Sequence, residues 1–360
     1  MTQSNIPAFD QASAKRMQAI LDNKTKPLGS LGRLEELAVN LAGITGSAKL
    51  DFSSKAIVLA AADHGVASKG VSLYPSEVTR QMVLNFMAGG AGVNVLARHA
   101  GAKVVVVDAG VAGESFAAAP GFYDRKQGSG KGSADLSAGP AMTLEQAKAC
   151  LAAGAEVVAD LAKQGVKMLG LGEMGIGNTT PSAAIAAVVM ALPVEEVTGR
   201  GTGLDVEAWK KKVAVIQGAI ALNKADAKDG MDVLVKLGGF EIGVLAGAIL
   251  EASKRRMPVM LDGFISGAAA LVAYRIDPAC KDSLLAGHQS VEIGHRRIHE
   301  FLGLKPLLQL ELRLGEGTGA AMAFMLVDAA CKIVAEMATF DSAGVSQDKT
   351  GKDAFEKKEA

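Results

Sequence analysis

The chain is poor in cysteine, with Cys150, Cys280 and Cys331 its only three in 360 residues. They lie far apart and form no C-x-x-C pair, which argues against a disulfide framework or a zinc knuckle. Buried, inert thiols in a reducing cytoplasm are the expectation. Net charge is missing too: Lys and Arg total 38, Asp and Glu total 38. A neutral chain lacks the basic footprint of a nucleic-acid or membrane-surface binder, so the expected partners are small molecules. Aromatics make up 4% of residues while 49% are hydrophobic, which leaves the core to Ala, Val, Leu, Ile and Met. The longest apolar run, Ala183 to Val194, falls short of the roughly 20 residues of a membrane span. The opening MTQSNIPAFDQASAKR has no apolar stretch behind a basic start, so no export signal is read there and a cytoplasmic protein is expected.

What is present is a recurrent unit. Four apolar runs end in glycine and a polar residue: KAIVLAAADHG (55–65), AKVVVVDAG (102–110), VKMLGLGEMG (166–175) and PVMLDGF (258–264). Alanine-rich segments of helical period separate them, such as 143–164, opened by the capping-box pair Thr143 and Gln146. Strand followed by helix, repeated, predicts an α/β fold with a parallel sheet covered on both faces. Polar residues at the strand ends then gather at one edge, where such sheets bind ligands. Helices are expected over 10–23 and 31–45. The expected organisation is a helical segment 1–50 contributing to a small domain and an α/β domain 51–316. A C-terminal helical segment 317–340 returns to the small domain, and 341–360 is a polar tail, solvated or disordered.

Among candidate sites, RLGEGTGAA (313–321) sets Glu316 between glycines that free the backbone to turn. It reads either as a structural turn or as a site that needs an acid or base beside a substrate. Gly170, Gly172 and Gly175 match a dinucleotide fingerprint, but Glu173 sits where a pyrophosphate would approach. The continuation GIGNTTPSAA places Thr180 as N-cap and Pro181 in the first turn of a helix. Gly175, Gly177, Asn178, Thr179 and Thr180 then offer amides and hydroxyls to one phosphate, unless this is an ordinary capped helix. His295 and His299 share a helix face without the further ligands that zinc requires, and a solvated helix is expected. The same default applies to Lys210, Lys211 and Lys212. His64 reads equally as a structural histidine or a ligand, and Asp63 and Asp262 as turn caps or ribose partners.

The blocks KPLGSLGRLEELA (26–38), ADHGV (62–66), GPAMT (139–143), GEMGIGNTTPSAA (172–184), GRGTGLD (199–205), DGFISGAAAL (262–271), HQSVEIGH (288–295) and LRLGEGTGAA (312–321) occur in collinear order. Together they closely resemble the nicotinate-nucleotide:dimethylbenzimidazole phosphoribosyltransferase family. The resemblance implies a Rossmann-like three-layer αβα catalytic domain with a small helical domain, a homodimer, and no cofactor or metal. It implies transfer of the phosphoribosyl group from nicotinate mononucleotide to 5,6-dimethylbenzimidazole in cobalamin lower-ligand assembly. It makes Glu316 the catalytic base, and assigns phosphate and ribose contacts to the loop from Glu173 to Thr180, to Asp262 and to Ser290. Lys212 is matched with a lysine that reaches the partner subunit's site. Base contacts are assigned to Tyr74, Met82 and Leu314, although Tyr74 and Met82 stand where another member has serine and glutamine, so other benzimidazoles, purines or phenolic bases remain possible acceptors. Two competing readings are a Rossmann oxidoreductase binding NAD at Gly170–Gly175 and a regulator that binds the nucleotide without turning it over.

Overall fold

The computed structural model describes residues 4–128, 130–200, 203 and 205–346. The chain opens with two helices, α1 (Gln11–Asp22) and α2 (Arg33–Thr45), before the first strand β1 (Lys55–Ala62). Then come α3 (Glu77–Ala88), α4 (Gly92–His99), β2 (Ala102–Gly110), β3 (Phe122–Asp124), α5 (Leu144–Lys163), β4 (Met168–Met174) and α6 (Thr179–Met190). The second half adds α7 (Val194–Val197), α8 (Val206–Asn223), α9 (Gly230–Leu237), α10 (Phe240–Lys254), β5 (Val259–Leu261) and α11 (Phe264–Ile276). It ends with β6 (Leu284–Ala286), α12 (Ile293–Leu302), α13 (Thr318–Glu336) and α14 (Phe340–Ala343). All four expected strands, both N-terminal helices and the Thr143–Gln146 capping box on α5 are present.

The six strands form one parallel sheet in the order β3-β2-β1-β4-β5-β6. Strand order reverses between β1 and β4, and beyond the carboxyl ends at such a switch point open α/β sheets bind their ligands. β1 is buried along its whole length, and its alternation sorts the core. Ala56, Val58 and Ala60 join the cluster under α5, α6, α10 and α11, while Ile57, Leu59 and Ala61 join the one under α1, α2, α4 and α13. The two chain ends therefore meet on one face of the sheet, where α13 packs against α2, α4, β4 and β5.

Among the described residues, α13 is long and apolar enough to cross a membrane by length and composition. Its apolar face is instead committed to the sheet: Ala320, Ala321, Ala323, Phe324, Val327 and Ala330 are buried, and Asp328 pairs with Lys55 at the foot of β1. The tail expected from Asp341 starts less irregularly than anticipated. Thr339 caps α14 by accepting from the Ser342 amide, and the Phe340 amide donates to Asn23 O. Residues 341–346 are nevertheless exposed, and the remainder of the tail lies outside the described residues.

Candidate active site

β4 ends at the switch point and delivers Gly175 to Asn178 into the first turn of α6. The helix begins at Thr179, not at the Pro181 expected from the sequence, and the N-cap position is Asn178 rather than Thr180. The Asn178 carbonyl already accepts from the Ser182 amide at 3.1 Å, which starts the helix early, while Asn178 Nδ2 donates to Glu173 Oε2 at 2.5 Å and so its side chain does not cap it. Thr180 Oγ1 is buried with no hydrogen-bond partner among the described residues. Beside it, Lys212 Nζ donates to Thr179 Oγ1 at 2.6 Å. The solvated face expected of the lysine run holds for Lys210 and Lys211 and fails for Lys212, which is 1% exposed. Burial lowers its pKa to about 8, against the pull of the Glu292 carboxylate. Lys212 thus meets the first turn of α6 in its own chain. A hydroxyl without a partner, a lysine and a helix N-terminus are together suited to an anion.

Gly170 and Gly172 have a different purpose from the one a dinucleotide fingerprint would give them. Both lie inside β4 rather than in a turn. A Cβ on Gly172 would collide with the carbonyl of Glu316, and one on Gly170 would sit 2.9 Å from the Phe324 ring. Their bare backbone is the bed on which the 315–317 turn and α13 rest, so the NAD reading has no pyrophosphate turn to stand on.

That turn carries three successive left-handed residues: Gly315 (φ 80°), Glu316 (φ 63°) and Gly317 (φ 98°). For Glu316 this conformation costs about 1–2 kcal/mol, and the surrounding bonds hold it there. Asp262, at the end of β5, accepts from Gly317 N (3.1 Å), Gly319 N (2.6 Å) and Ala320 N (3.2 Å). Thr318 Oγ1 closes the turn onto Gly315 O at 2.8 Å. Asp262, expected near the ribose, is therefore engaged as the anchor of the glutamate turn. Glu316 is 6% exposed, and its Oε2 accepts from Val93 N, in the first turn of α4, at 3.3 Å. Burial raises its pKa and the Val93 amide partly offsets this.

Ser290 is buried, and its hydroxyl accepts from the Glu292 amide at 3.2 Å. Leu314 is 59% exposed and lies close to Gly92, which also neighbours the Glu316 carboxylate. Tyr74 is 55% exposed ahead of α3, and Met82 packs half-buried on α3. The geometry thus joins Glu316, Asp262 and Leu314 on one side, and Asn178, Thr179, Thr180 and Lys212 on the other. Glu173 stands between them: Asn178 donates to it, and so does the Glu316 amide.

Other contributors left little trace in the sequence. His64 follows β1, with Nε2 2.8 Å from Glu241 Oε1 and Nδ1 3.3 Å from Ser133 Oγ. Burial opposes its charge, but Glu241, with Asp63 and Glu173, outweighs that and raises its pKa. A Cβ on Gly175 would lie 3.1 Å from the same ring, so this buried pair backs the loop that leads into α6. Thr79 of α3 accepts the Ile176 amide at 3.1 Å and holds the loop from the other side. His295 and His299, expected on a solvated helix, are 0% and 3% exposed. α12 carries them on its apolar stripe with Ile298 and Leu302.

Burial raises the Glu173 pKa to about 8, helped by the nearby Asp262 and Glu241 carboxylates and opposed by the Asn178 bond. Folding therefore retains a proton that the unfolded chain releases near its ordinary value of 4.5. The resulting stability is complete below that value and is lost as pH rises through about 8. Asp262, raised to about 7 by burial against its three amides, acts in the same direction over a lower window. The ligand-free protein should lose thermal stability as pH rises from about 4.5 to about 8, and Glu173→Gln should flatten that slope. Calorimetry across the pH series checks this; an unchanged slope in the variant would assign the proton elsewhere.

A family model described as phosphoribosyltransferase matches residues 6–345. The chain is similar to the nicotinate-nucleotide–dimethylbenzimidazole phosphoribosyltransferase of Roseiflexus sp. strain RS-1, 53% identical over 345 residues, covering 96% of this chain and 97% of that one. The protein of the same name from Geobacter sulfurreducens is 52% identical, with the same coverage of both chains. Among solved structures, CobT from Thermus thermophilus superposes with a TM-score of 0.89 at 45% identity, over 94% of this chain and 100% of that one.

Proposed function

The chain belongs to the nicotinate-nucleotide–dimethylbenzimidazole phosphoribosyltransferase family, and from that premise we propose its reaction and the role of each site residue. The enzyme transfers the 5-phosphoribosyl group of nicotinate mononucleotide to 5,6-dimethylbenzimidazole, yielding α-ribazole 5′-phosphate and nicotinate for the lower ligand of cobalamin. The observation that carries the mechanism is Glu316, a buried carboxylate locked in a left-handed turn, with the Lys212–Thr179 pair at the start of α6 supporting the phosphate reading.

In nicotinate mononucleotide the pyridinium nitrogen is already cationic. When its bond to C1′ breaks, the electron pair neutralises the leaving ring, and no general acid is needed. The imine nitrogen of the benzimidazole forms the new bond from the opposite face, which inverts the β-nucleotide to an α-riboside. The attacking ring becomes cationic until its other nitrogen loses a proton, and Glu316 accepts it. Its charge also favours the oxocarbenium character of the sugar in the transition state. Lys212, Thr179, Thr180 and the α6 N-terminus hold the 5′-phosphate, and Ser290 contributes from the 288–290 loop. Leu314, Tyr74 and Met82 line the base side. The exposure of Tyr74 and Leu314 supports a pocket completed by a second copy of the chain, and so a homodimer.

A proton NMR time course with nicotinate mononucleotide and dimethylbenzimidazole tests the reaction. Free nicotinate should appear together with an α-configured anomeric proton, one for one. A β-configured product would overturn direct displacement. Intact nucleotide with every benzimidazole, purine and phenol tried would overturn the transferase reading.

A further inference from the structure

Beneath the 288–290 loop lie two imidazoles whose bonds the reaction as described does not use. His295 and His299 stand one turn apart on α12, with ring centroids 4.1 Å apart. His295 Nδ1 accepts from the backbone amide of Ser290 at 3.1 Å. The neutral ring must then carry its proton on Nε2. His299 holds the opposite tautomer. Gln289 Nε2 donates to Ser290 O at 3.0 Å, which turns Gln289 Oε1 toward His299 Nδ1, 3.2 Å away, so that nitrogen is the donor. Two consecutive loop residues are thus read by two histidines, one through a backbone donor and one through a side-chain acceptor. A third ring, His288, packs against Gly319 with its Nε2 3.7 Å from Asp262 Oδ1, and joins this loop to the anchor of the Glu316 turn. Burial keeps the rings neutral: the His299 pKa falls to about 4, and burial, with its two histidine neighbours, holds that of His295 well below the usual histidine value. A protonated His295 would set a ring N–H against the Ser290 N–H.

We infer that His295, supported by His299, is a positioning residue for nucleotide binding, because it fixes the register of the 288–290 loop and aims the Ser290 hydroxyl into the site. The inference rests on the reading of Ser290 as a nucleotide contact, and the variants below separate the two.

Asparagine can place an oxygen acceptor where Nδ1 stands, whereas glutamine carries its acceptor one bond farther out, near the Nε2 position. His295→Gln should raise KM for nicotinate mononucleotide about tenfold, the scale of one lost hydrogen bond, with kcat at saturation nearly unchanged. His295→Asn should restore KM to near the wild-type value. Ser290→Ala should raise the same KM. If Ser290→Ala leaves KM unchanged, the assignment of Ser290 fails, and the inference with it. If Ser290→Ala raises KM while the Asn and Gln variants of His295 match each other, the positioning role alone is overturned. Nitrogen-15 NMR of the wild-type chain gives a check independent of folding in the variants. His295 should show the Nε2–H tautomer and His299 the Nδ1–H tautomer, and the reverse pattern for His295 would overturn the inference.

Discussion

Glu316→Gln is expected to lower kcat by about 10²–10⁴-fold, the range that a positioned general base supplies, while nicotinate mononucleotide binds nearly as before. The amide is isosteric and can still accept from Val93 N, the bond that now meets Oε2 at 3.3 Å. The backbone demand on residue 316, φ 63°, is the same for either side chain, so the turn should survive. What disappears is the proton acceptor. Because the raised pKa of Glu316 has burial as its main cause, wild-type kcat should fall on the acid side as the carboxylate takes up its proton, and this limb should be absent from residual activity in the variant. Steady-state kinetics over a pH series, with a calorimetric isotherm for the nucleotide, measures both. Near-normal turnover in the variant would remove Glu316 from the mechanism.

Asp262→Asn should have the next largest effect, although on the proposed mechanism this residue touches neither substrate. Its two oxygens accept three backbone amides, from Gly317, Gly319 and Ala320. An asparagine of the same shape must present an NH2 group to at least one of those donors, and a buried N–H left without an acceptor costs about 1–3 kcal/mol. The left-handed conformation of Glu316 is maintained against its own preference, so the turn should relax and carry the carboxylate away from the reacting ring. An expected kcat loss of about 10²-fold follows from misplacement alone. KM for the nucleotide should change far less, because the α6 N-terminus and Lys212 do not depend on this anchor. The thermal midpoint should fall as well. A rise in KM that outweighs the loss of kcat would instead place Asp262 on the ribose.

Much of this site is legible in the chain. Glycine on both sides of Glu316 announces a turn that ordinary residues avoid, and the glycine, asparagine and threonines after β4 announce a helix start suited to an anion. The strands are legible because both faces of a parallel sheet are buried, so they read as continuous apolar runs. α13 is harder to anticipate as a span-length helix because Asp328 and Lys332 interrupt its apolar run, and its burial depends on α2 and the sheet lying over it. The start of α6 differs from its expected position by two residues because the Asn178 carbonyl already accepts from the Ser182 amide, while its side chain goes to Glu173, a bond that helix propensity does not contain. His295 and His299 read as solvated because two histidines and two arginines dominate the composition of that helix. Only packing shows that the histidines lie on the inner face.

By itself the sequence determined the period of each element, the order in which strands and helices alternate, and which residue types stand at the strand ends. These follow from local sterics and from the alternation of apolar and polar positions, which every stretch of chain carries within itself. The tertiary structure alone decided that Asp262 would hold the Glu316 turn from 54 residues away in sequence, that one lysine of three would be buried against Thr179, and that Gly170 and Gly172 would underlie a second segment of backbone. Each depends on which distant groups share a desolvated space, and desolvation is what sets a pKa, compels a hydrogen bond and makes a missing Cβ necessary.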